Sequence, residues 1–245
     1  MEEFTFLDRL EEYTHKDPHA AILYDETHTK GITYDRLDDM SARIYSWLKH
    51  NGIGREDFVL IDLPRGIMPV IAMIGVWKAG AAWALVEDTY APERIDFIRK
   101  DCGCRVEIDT SNWDAIMQCD PVFGHVRAQE HDAAYAVYTS GTTGNPKGVL
   151  HEYGNLERAI QSITIDGKLP VNGNDRIANM APLNFVASVA LTLLSFTVFR
   201  LKLYIVPYSI TKNKVALARF FLTNRISVTF LTPSYVRMLG NKTGP

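Results

Sequence analysis

Short apolar runs alternate with helical segments along most of this chain, and no other feature restricts its possible folds as strongly. Eight runs have the length and composition of strands, at residues 20–24, 58–63, 82–86, 105–108, 134–138, 177–180, 203–206 and 228–231. Helical patterns are predicted at residues 4–13, 33–52, 67–79, 92–100, 112–117, 155–163, 185–199 and 212–222. Such alternation favours parallel sheets covered by helices. The predicted fold is therefore α/β, with parallel-rich sheets and helices packed on both faces.

Two threonines are predicted to cap helices, since a threonine oxygen can accept a hydrogen bond from a free amide at a helix start. Thr33 precedes the helix that ends near Gly52, and Thr211 precedes the helix at residues 212–222. The most apolar helix, at residues 185–199, is shorter than the roughly 20 residues of a membrane span. It is interpreted as a buried core helix, and no membrane span is predicted.

Charge and cysteine content exclude several classes of partner and site. The formal net charge is −3 without a basic stripe, so nucleic acid is not an expected partner. The acidic start Met1-Glu2-Glu3-Phe4 has no apolar signal region. Three cysteines, an odd number, favour reduced thiols and a cytoplasmic location. The pair Cys102-Gly103-Cys104 lacks a second pair of ligands at metal-binding spacing, so no metal site is predicted.

The segment with the clearest chemical meaning is a loop of small and hydroxyl residues after the strand at 134–138. It reads Tyr138-Thr139-Ser140-Gly141-Thr142-Thr143-Gly144-Asn145-Pro146-Lys147-Gly148. Glycines allow backbone amides to approach an anion, hydroxyls donate hydrogen bonds, and a lysine adds positive charge. Pro before the lysine and Gly after it differ from a Walker A loop, which leads directly into a helix. The alternative is a surface turn of small residues; the order of eleven matching residues favours a phosphate-binding loop.

This loop resembles the phosphate-binding signature of the adenylate-forming superfamily, whose members include acyl-CoA synthetases and adenylation domains of nonribosomal peptide synthetases. Three further segments resemble motifs of that superfamily in the expected order. They are Ile32-Thr33-Tyr34-Asp35-Arg36-Leu37, Trp77-Lys78-Ala79-Gly80-Ala81-Ala82-Trp83 and Ile226-Ser227-Val228-Thr229-Phe230-Leu231-Thr232-Pro233-Ser234. The sequence Tyr138-Thr139-Ser140 at the start of the loop and the segment Pro92-Glu93-Arg94-Ile95 most resemble those of peptide-synthetase adenylation domains and D-alanine–carrier protein ligases.

The resemblance implies ATP-dependent conversion of a carboxylic acid to an acyl-adenylate. The acyl group would then pass to a thiol of CoA or of a carrier-protein phosphopantetheine. The residues that would bind the β- and γ-phosphates are Thr139, Ser140, Gly141, Thr142, Thr143, Gly144 and Lys147. Their role would be to position the phosphates and neutralise their charge.

Several motifs of the superfamily cannot be placed before Pro245. They contain a magnesium-binding Glu, a ribose-binding Asp and the lysine of a small C-terminal domain. The resemblance therefore implies that residues 1–245 are the N-terminal portion of the large AMP-binding domain, without its remainder and without the C-terminal lid domain. No catalytic residue or Mg²⁺ ligand is predicted within the chain, which is expected to be inactive alone. The alternative is a non-catalytic adenylation-like module for nucleotide binding or assembly.

The resemblance also places Phe185, Val186 and Ser188 in the substrate pocket, with one departure from the amino-acid-activating members. Those members have an Asp at the position of Val186, where it pairs with the substrate ammonium. A buried ammonium without an anion would cost several kcal/mol. The predicted substrate is therefore a carboxylic acid without a free α-amino group. The alternatives are that the ammonium is bound elsewhere or that the alignment is shifted by one residue.

Two smaller differences from the superfamily motifs follow the strand at 82–86 and the phosphate-binding loop. The segment Leu85-Val86-Glu87-Asp88 lacks the usual Pro, and Tyr153 stands where a His often follows the loop. His151 is interpreted as a residue on the face of a strand. The four tryptophans are interpreted as core residues rather than as a stacking platform for bases.

Overall fold

The computed structural model describes residues 5–139, 146–165, 171–231 and 233–240. Ten strands form two five-stranded sheets, and parallel pairing dominates in both. The predicted α/β class with parallel-rich sheets and flanking helices is confirmed. Two pairs, one at an edge of each sheet, are antiparallel, and each joins consecutive strands.

Sheet I has the order β10-β8-β9-β1-β2, and sheet II has the order β5-β3-β4-β6-β7. The strands of sheet I are β1 (Ala21–Tyr24), β2 (Ile32–Thr33), β8 (Arg176–Asn179), β9 (Lys202–Ile205) and β10 (Val228–Thr229). The strands of sheet II are β3 (Phe58–Asp62), β4 (Ala82–Leu85), β5 (Val106–Asp109), β6 (Ala133–Thr139) and β7 (Lys147–Glu152). Sheet II is thus formed by five strands that are consecutive in sequence. In sheet I, β1 pairs with β9, a strand that lies far from it in the sequence.

The described helices follow the predicted order. They are α1 (Phe6–Lys16), α2 (Tyr34–His50), α3 (Ile67–Lys78), α4 (Pro92–Asp101), α5 (Trp113–Met117), α6 (Tyr153–Ile165), α7 (Val186–Thr197), α8 (Tyr208–Thr211), α9 (Lys214–Asn224) and α10 (Pro233–Gly240). None of the helices in these parts of the chain has the length and apolar character needed to cross a membrane.

Of the two predicted threonine caps, Thr33 is the N-cap residue of α2, as predicted, and Thr211 is wrong. The helix expected from Lys212 begins at Lys214 as α9, and Thr211 is the last residue of the separate short helix α8. The cap of α9 is Asn213, whose Oδ1 accepts hydrogen bonds from the amides of Val215 and Ala216. Thr33 does precede α2, but its hydroxyl donates to the Asp35 carboxylate and caps no amide. An asparagine oxygen is at least as good a helix cap as threonine, so local geometry decides between them.

The core is centred on α3 and the tryptophans. All but one residue of α3 are buried, and Trp77 and Trp83 are 1% and 0% exposed. α2 crosses α3 at Gly75, where a Cβ atom would lie 2.6 Å from Ile44 Cβ, so only glycine permits this approach. Trp113 is also buried, and Trp47 packs on the edge of the cluster. The tryptophans are core residues, as the sequence indicates.

Arg65 joins the two sheets. It follows β3 of sheet II, and its guanidinium donates to three carbonyl oxygens at the ends of β8 and β9 in sheet I. The acceptors are Val206 O at 2.7 Å, Ala181 O at 2.9 Å and Asn179 O at 2.9 Å. Its Cζ lies 4.4 Å from the ring centre of Tyr208. Burial lowers the pKa of Arg65, and the nearby Tyr208 and Glu87 act in the opposite direction.

Replacing Arg65 with methionine should therefore destabilise the protein by about 2–4 kcal/mol, because buried carbonyl groups lose their donors. The free energy of unfolding can be measured by urea denaturation. The control is Arg36→Met, which removes an exposed ion pair with Asp39 and should cost less than about 1 kcal/mol. Equal losses in the two variants would contradict the linking role of Arg65.

Candidate functional site

The predicted phosphate-binding loop connects β6 to β7 at the carboxyl end of β6. Thr139 is the last residue of β6, Lys147 is the first residue of β7, and the two are paired in register. Both side chains are exposed. The other predicted phosphate ligands, Ser140, Gly141, Thr142, Thr143 and Gly144, lie outside the described residues. The structure thus describes the two ends of the loop, with a hydroxyl on one strand and an ammonium on the other.

Tyr138 anchors the base of this loop. Its hydroxyl donates to Asp101 Oδ2 at 2.6 Å and lies 3.1 Å from Cys102 Sγ. Its ring covers Gly148, where a Cβ atom would lie 2.9 Å from Tyr138 Cζ. Burial, followed by the hydrogen bond to Asp101, raises the pKa of Tyr138. Tyr138 and Gly148, which flank the loop ends Thr139 and Lys147, are therefore in contact with each other, and Tyr138 also bonds to the last residue of α4.

The predicted substrate residues lie at the start of α7 but point in different directions. Phe185 is the N-cap residue and Val186 the first residue of α7, and they are 46% and 39% exposed. Ser188 is 1% exposed, and its Oγ accepts a hydrogen bond of 2.7 Å from Asn179 Nδ2. Ser188 therefore ties α7 to the end of β8. Its role in a substrate pocket stays a prediction, as do those of Phe185 and Val186.

Two apolar cavities lie beside α7. The larger, of about 590 Å³, runs between α7 and the edge strand β10, and its lining includes Ala187, Ala190, Leu191, Leu194, Val228, Thr229 and Phe230. The smaller, of about 130 Å³, is lined by Met180, Ala181, Pro182, Phe185, Phe230 and Tyr235. Phe230 lines both cavities, and Val186 and Ser188 line neither. The surface available beside α7 is thus mainly hydrocarbon.

Glu87 is a buried charged residue that the sequence interpretation left without a role. It follows β4 and is 6% exposed. Its Oε1 accepts from the amide of Leu183 at 3.1 Å, and its Oε2 accepts from the Tyr208 hydroxyl at 2.8 Å. Burial and the neighbouring Glu87 charge raise the pKa of Tyr208. Glu87 therefore binds the segment before α7 to sheet II.

A positional signal could have identified Glu87 and Arg65. Each lies within three residues after the end of an apolar parallel strand. The carboxyl ends of parallel strands are where open α/β sheets bind ligands and meet other elements. A charged side chain at such an end is therefore a candidate for a linking or binding role. The sequence does not indicate which carbonyl or amide groups would be its partners.

The remaining predicted features have structural explanations. His151 lies on β7 and stacks on Tyr135 with ring centres 4.5 Å apart, so its place on the face of a strand is confirmed. Burial lowers the pKa of His151. Among residues 5–139, 146–165, 171–231 and 233–240, no group of three or more His, Cys, Asp or Glu residues is placed to hold a metal ion.

The contact between Tyr138 and Gly148 leads to a test. Gly148→Ala should cost about 1–3 kcal/mol, because the added methyl group must displace a ring that Asp101 holds. Gly54→Ala is the control, since no atom lies within 4 Å of its added Cβ, and it should change stability by less than about 0.5 kcal/mol. Urea denaturation measures both. If the two variants are equally stable, Tyr138 is not held rigidly against the loop.

Comparison with known proteins agrees with this arrangement. The chain matches the family described as AMP-binding enzyme over residues 10–125 and 109–245. It is 30% identical over 234 residues to surfactin synthase subunit 1 of Bacillus subtilis (strain 168), covering 90% of this chain and 6% of that protein. It is 30% identical over 243 residues to the nonribosomal peptide synthetase rstn8 of Penicillium ochrochloron, covering 91% of this chain and 12% of that protein.

Among solved structures, the fold is similar to that of the N-terminal domain of FACL13 from Mycobacterium tuberculosis, whose crystal structure contains an inhibitor. The TM-score is 0.85 at 18% sequence identity, and the match covers 98% of this chain and 66% of the other. This similarity establishes the fold. The chain spans only a small part of the curated relatives named above.

Proposed function

The chain belongs to the AMP-binding enzyme family, as its loop motif predicts, and on this basis we propose that it serves in ATP-dependent activation of a carboxylic acid. In this reaction the substrate carboxylate attacks the α-phosphorus of ATP, an acyl-adenylate forms, and pyrophosphate leaves. A thiol of CoA or of a carrier-protein phosphopantetheine then takes the acyl group and AMP is released. Similarity to peptide synthetases supports the carrier-protein thiol as acceptor.

The observation that carries this proposal is the pairing of Thr139 with Lys147 across the two ends of the loop. It places a hydroxyl donor and a cation on facing strands, at the mouth of a loop rich in glycine and threonine. Backbone amides in such a loop can surround phosphate oxygens, and the lysine neutralises part of their charge. The residues at the ends of the loop thus fit the triphosphate of ATP. Mg²⁺ bound together with ATP would supply further neutralisation of the phosphate charge.

The protein's main contribution would be alignment. Holding the acid and the triphosphate together converts a reaction between free molecules into one within a single complex. The segment before α7 is held at the end of β4, where the Leu183 amide donates to Glu87 Oε1 and Asn184 Nδ2 donates to Leu85 O at 3.3 Å. β4 pairs with β6, the strand that leads into the loop. This arrangement supports placing the acid beside α7 and the phosphates at the loop.

The apolar surface beside α7 supports an acid without a free α-amino group. Val186 carries no charge. The larger cavity is lined by alanine, leucine, isoleucine, valine and phenylalanine side chains together with two serines and one threonine. An ammonium group brought against such a surface would lose its hydration without gaining an anion. We therefore assign the substrate to small aryl, aliphatic or hydroxy acids.

The loop assignment is tested by Lys147→Ala. Because the lysine is assigned to the β- and γ-phosphates, the variant should bind ATP about 10- to 100-fold more weakly, as for a lost hydrogen bond to a charged group. Its affinity for AMP should change by less than about twofold. Titration calorimetry with each nucleotide measures both. Lys49→Ala, an exposed lysine on α2, is the control, and unchanged ATP affinity in Lys147→Ala would remove this residue from the site.

The substrate class is tested by comparing acids with and without an α-amino group. In pyrophosphate–ATP exchange by the full-length protein, desamino acids should give higher kcat/KM than the matching amino acids, because an unpaired ammonium is costly to desolvate. Val186→Asp should narrow the difference. A preference of the unmodified protein for amino acids would refute this substrate class while leaving acid activation intact.

A further inference from the structure

One tyrosine touches both halves of the proposed site. Tyr90 lies between β4 and α4, next to Ala91, the N-cap of α4. Its hydroxyl oxygen accepts a hydrogen bond of 3.0 Å from Asn184 Nδ2. Its ring lies under the guanidinium of Arg94, with Cζ 4.1 Å from the ring centre. The hydroxyl and the ring thus serve different neighbours.

Arg94, which lies over the Tyr90 ring, connects it to the base of the phosphate-binding loop. Arg94 reaches the carbonyl oxygen of Tyr138 with Nη2 at 3.5 Å, and Tyr138 directly precedes Thr139. In the described part of the chain, the Nε of Arg94 is buried and has no hydrogen-bond partner. The Tyr90 ring is therefore the main support that fixes Arg94 in place, since a cation over an aromatic face is attracted to it.

Asn184, which donates to the Tyr90 hydroxyl, connects it to the start of α7, where the acid is proposed to bind. Asn184 is 6% exposed and directly precedes Phe185, the N-cap of α7. Its side-chain amide has two acceptors, Tyr90 and Leu85 O, and the second is longer at 3.3 Å. The first turn of α7 receives no side-chain cap from Phe185. The position of this turn therefore depends on the residues that hold Leu183 and Asn184, together with the hydrogen bond between Ser188 and Asn179.

We propose that Tyr90 is a positioning residue that couples the phosphate-binding loop to the start of α7. The proposal rests on the proposed function, because ATP is the ligand that acts on the loop. Phosphate bound at the loop restrains Tyr138; this restrains Arg94 and the Tyr90 ring, and the Tyr90 hydroxyl then restrains Asn184 and the first turn of α7. ATP binding thus orders the start of α7, where the acid is proposed to bind. By the same coupling, acid binding strengthens ATP binding.

The two contacts of Tyr90 can be separated by substitution. Tyr90→Phe keeps the ring under Arg94 and removes only the acceptor for Asn184. Asn184→Ala breaks the same bond from the other side and leaves Tyr90 intact. Tyr34→Phe is the matched control, because the Tyr34 hydroxyl donates to Phe196 O at 2.9 Å, near the opposite end of α7. Tyr90→Phe and Tyr34→Phe each remove one hydrogen bond near α7, whereas Asn184→Ala removes two, because Asn184 Nδ2 also donates to Leu85 O.

Amide hydrogen exchange with and without MgATP, followed by mass spectrometry of the full chain, measures the coupling. In the unmodified protein, ATP should slow exchange in residues 138–148 and also, by about fivefold or more, in residues 184–194. In Tyr90→Phe and in Asn184→Ala, ATP should still slow exchange in the loop, but exchange in residues 184–194 should stay within about twofold of its ATP-free rate. Tyr34→Phe should behave as the unmodified protein does.

The outcomes distinguish the two proposals. If ATP changes exchange in neither segment of the unmodified protein, the proposed function fails and the coupling fails with it. If ATP protects the loop but not residues 184–194, or protects both equally in Tyr90→Phe and Asn184→Ala, the coupling is wrong and ATP binding stands. If Tyr34→Phe loses the α7 response as well, the effect is a general loosening of the helix, which also overturns the role of Tyr90.

Discussion

The buried guanidinium of Arg65 is the interaction on which the arrangement of the two sheets depends. Taking this charge out of water is costly, and the cost is offset because its donors meet carbonyl oxygens at the ends of β8 and β9. These carbonyls can meet Arg65 only if the carboxyl ends of the central strands of sheet I approach the end of β3. One side chain therefore selects a relative placement that apolar contacts between the sheets, which have no direction, would specify less sharply.

The same placement brings the segment after β4 against the segment before α7. Glu87 holds the amide of Leu183, and Tyr90 holds the side chain of Asn184. On its other side, Tyr90 supports Arg94 beside the base of the phosphate-binding loop. The short connection between β4 and α4 thus forms a shared wall between the region proposed for phosphates and the region proposed for the acid. A buried polar network of this kind requires that each member keep its partner.

Much of this protein could be predicted from local sequence. The α/β class, the core role of Trp77 and Trp83, and the position of the loop after β6 all follow from patterns within a few residues. The errors were also local. Thr211 and Asn213 are both acceptable caps, and the interruption of the helix after α8 decided between them. Capping preferences differ by too little for sequence alone to rank two neighbouring candidates.

The sequence by itself determined the order of strands and helices and the family, because periodicity and turn residues act over short distances along the chain. It also predicts the loop that is proposed to bind phosphate. Only the tertiary structure decided the partners of Arg65 and Glu87, which lie 96 to 141 residues away, and the inward orientation of Ser188 toward Asn179. The physical reason is that a charged or polar side chain requires a hydrogen-bonding partner when it is buried, but the sequence around it does not identify that partner. That identity is set when distant strand ends come together and water is excluded between them.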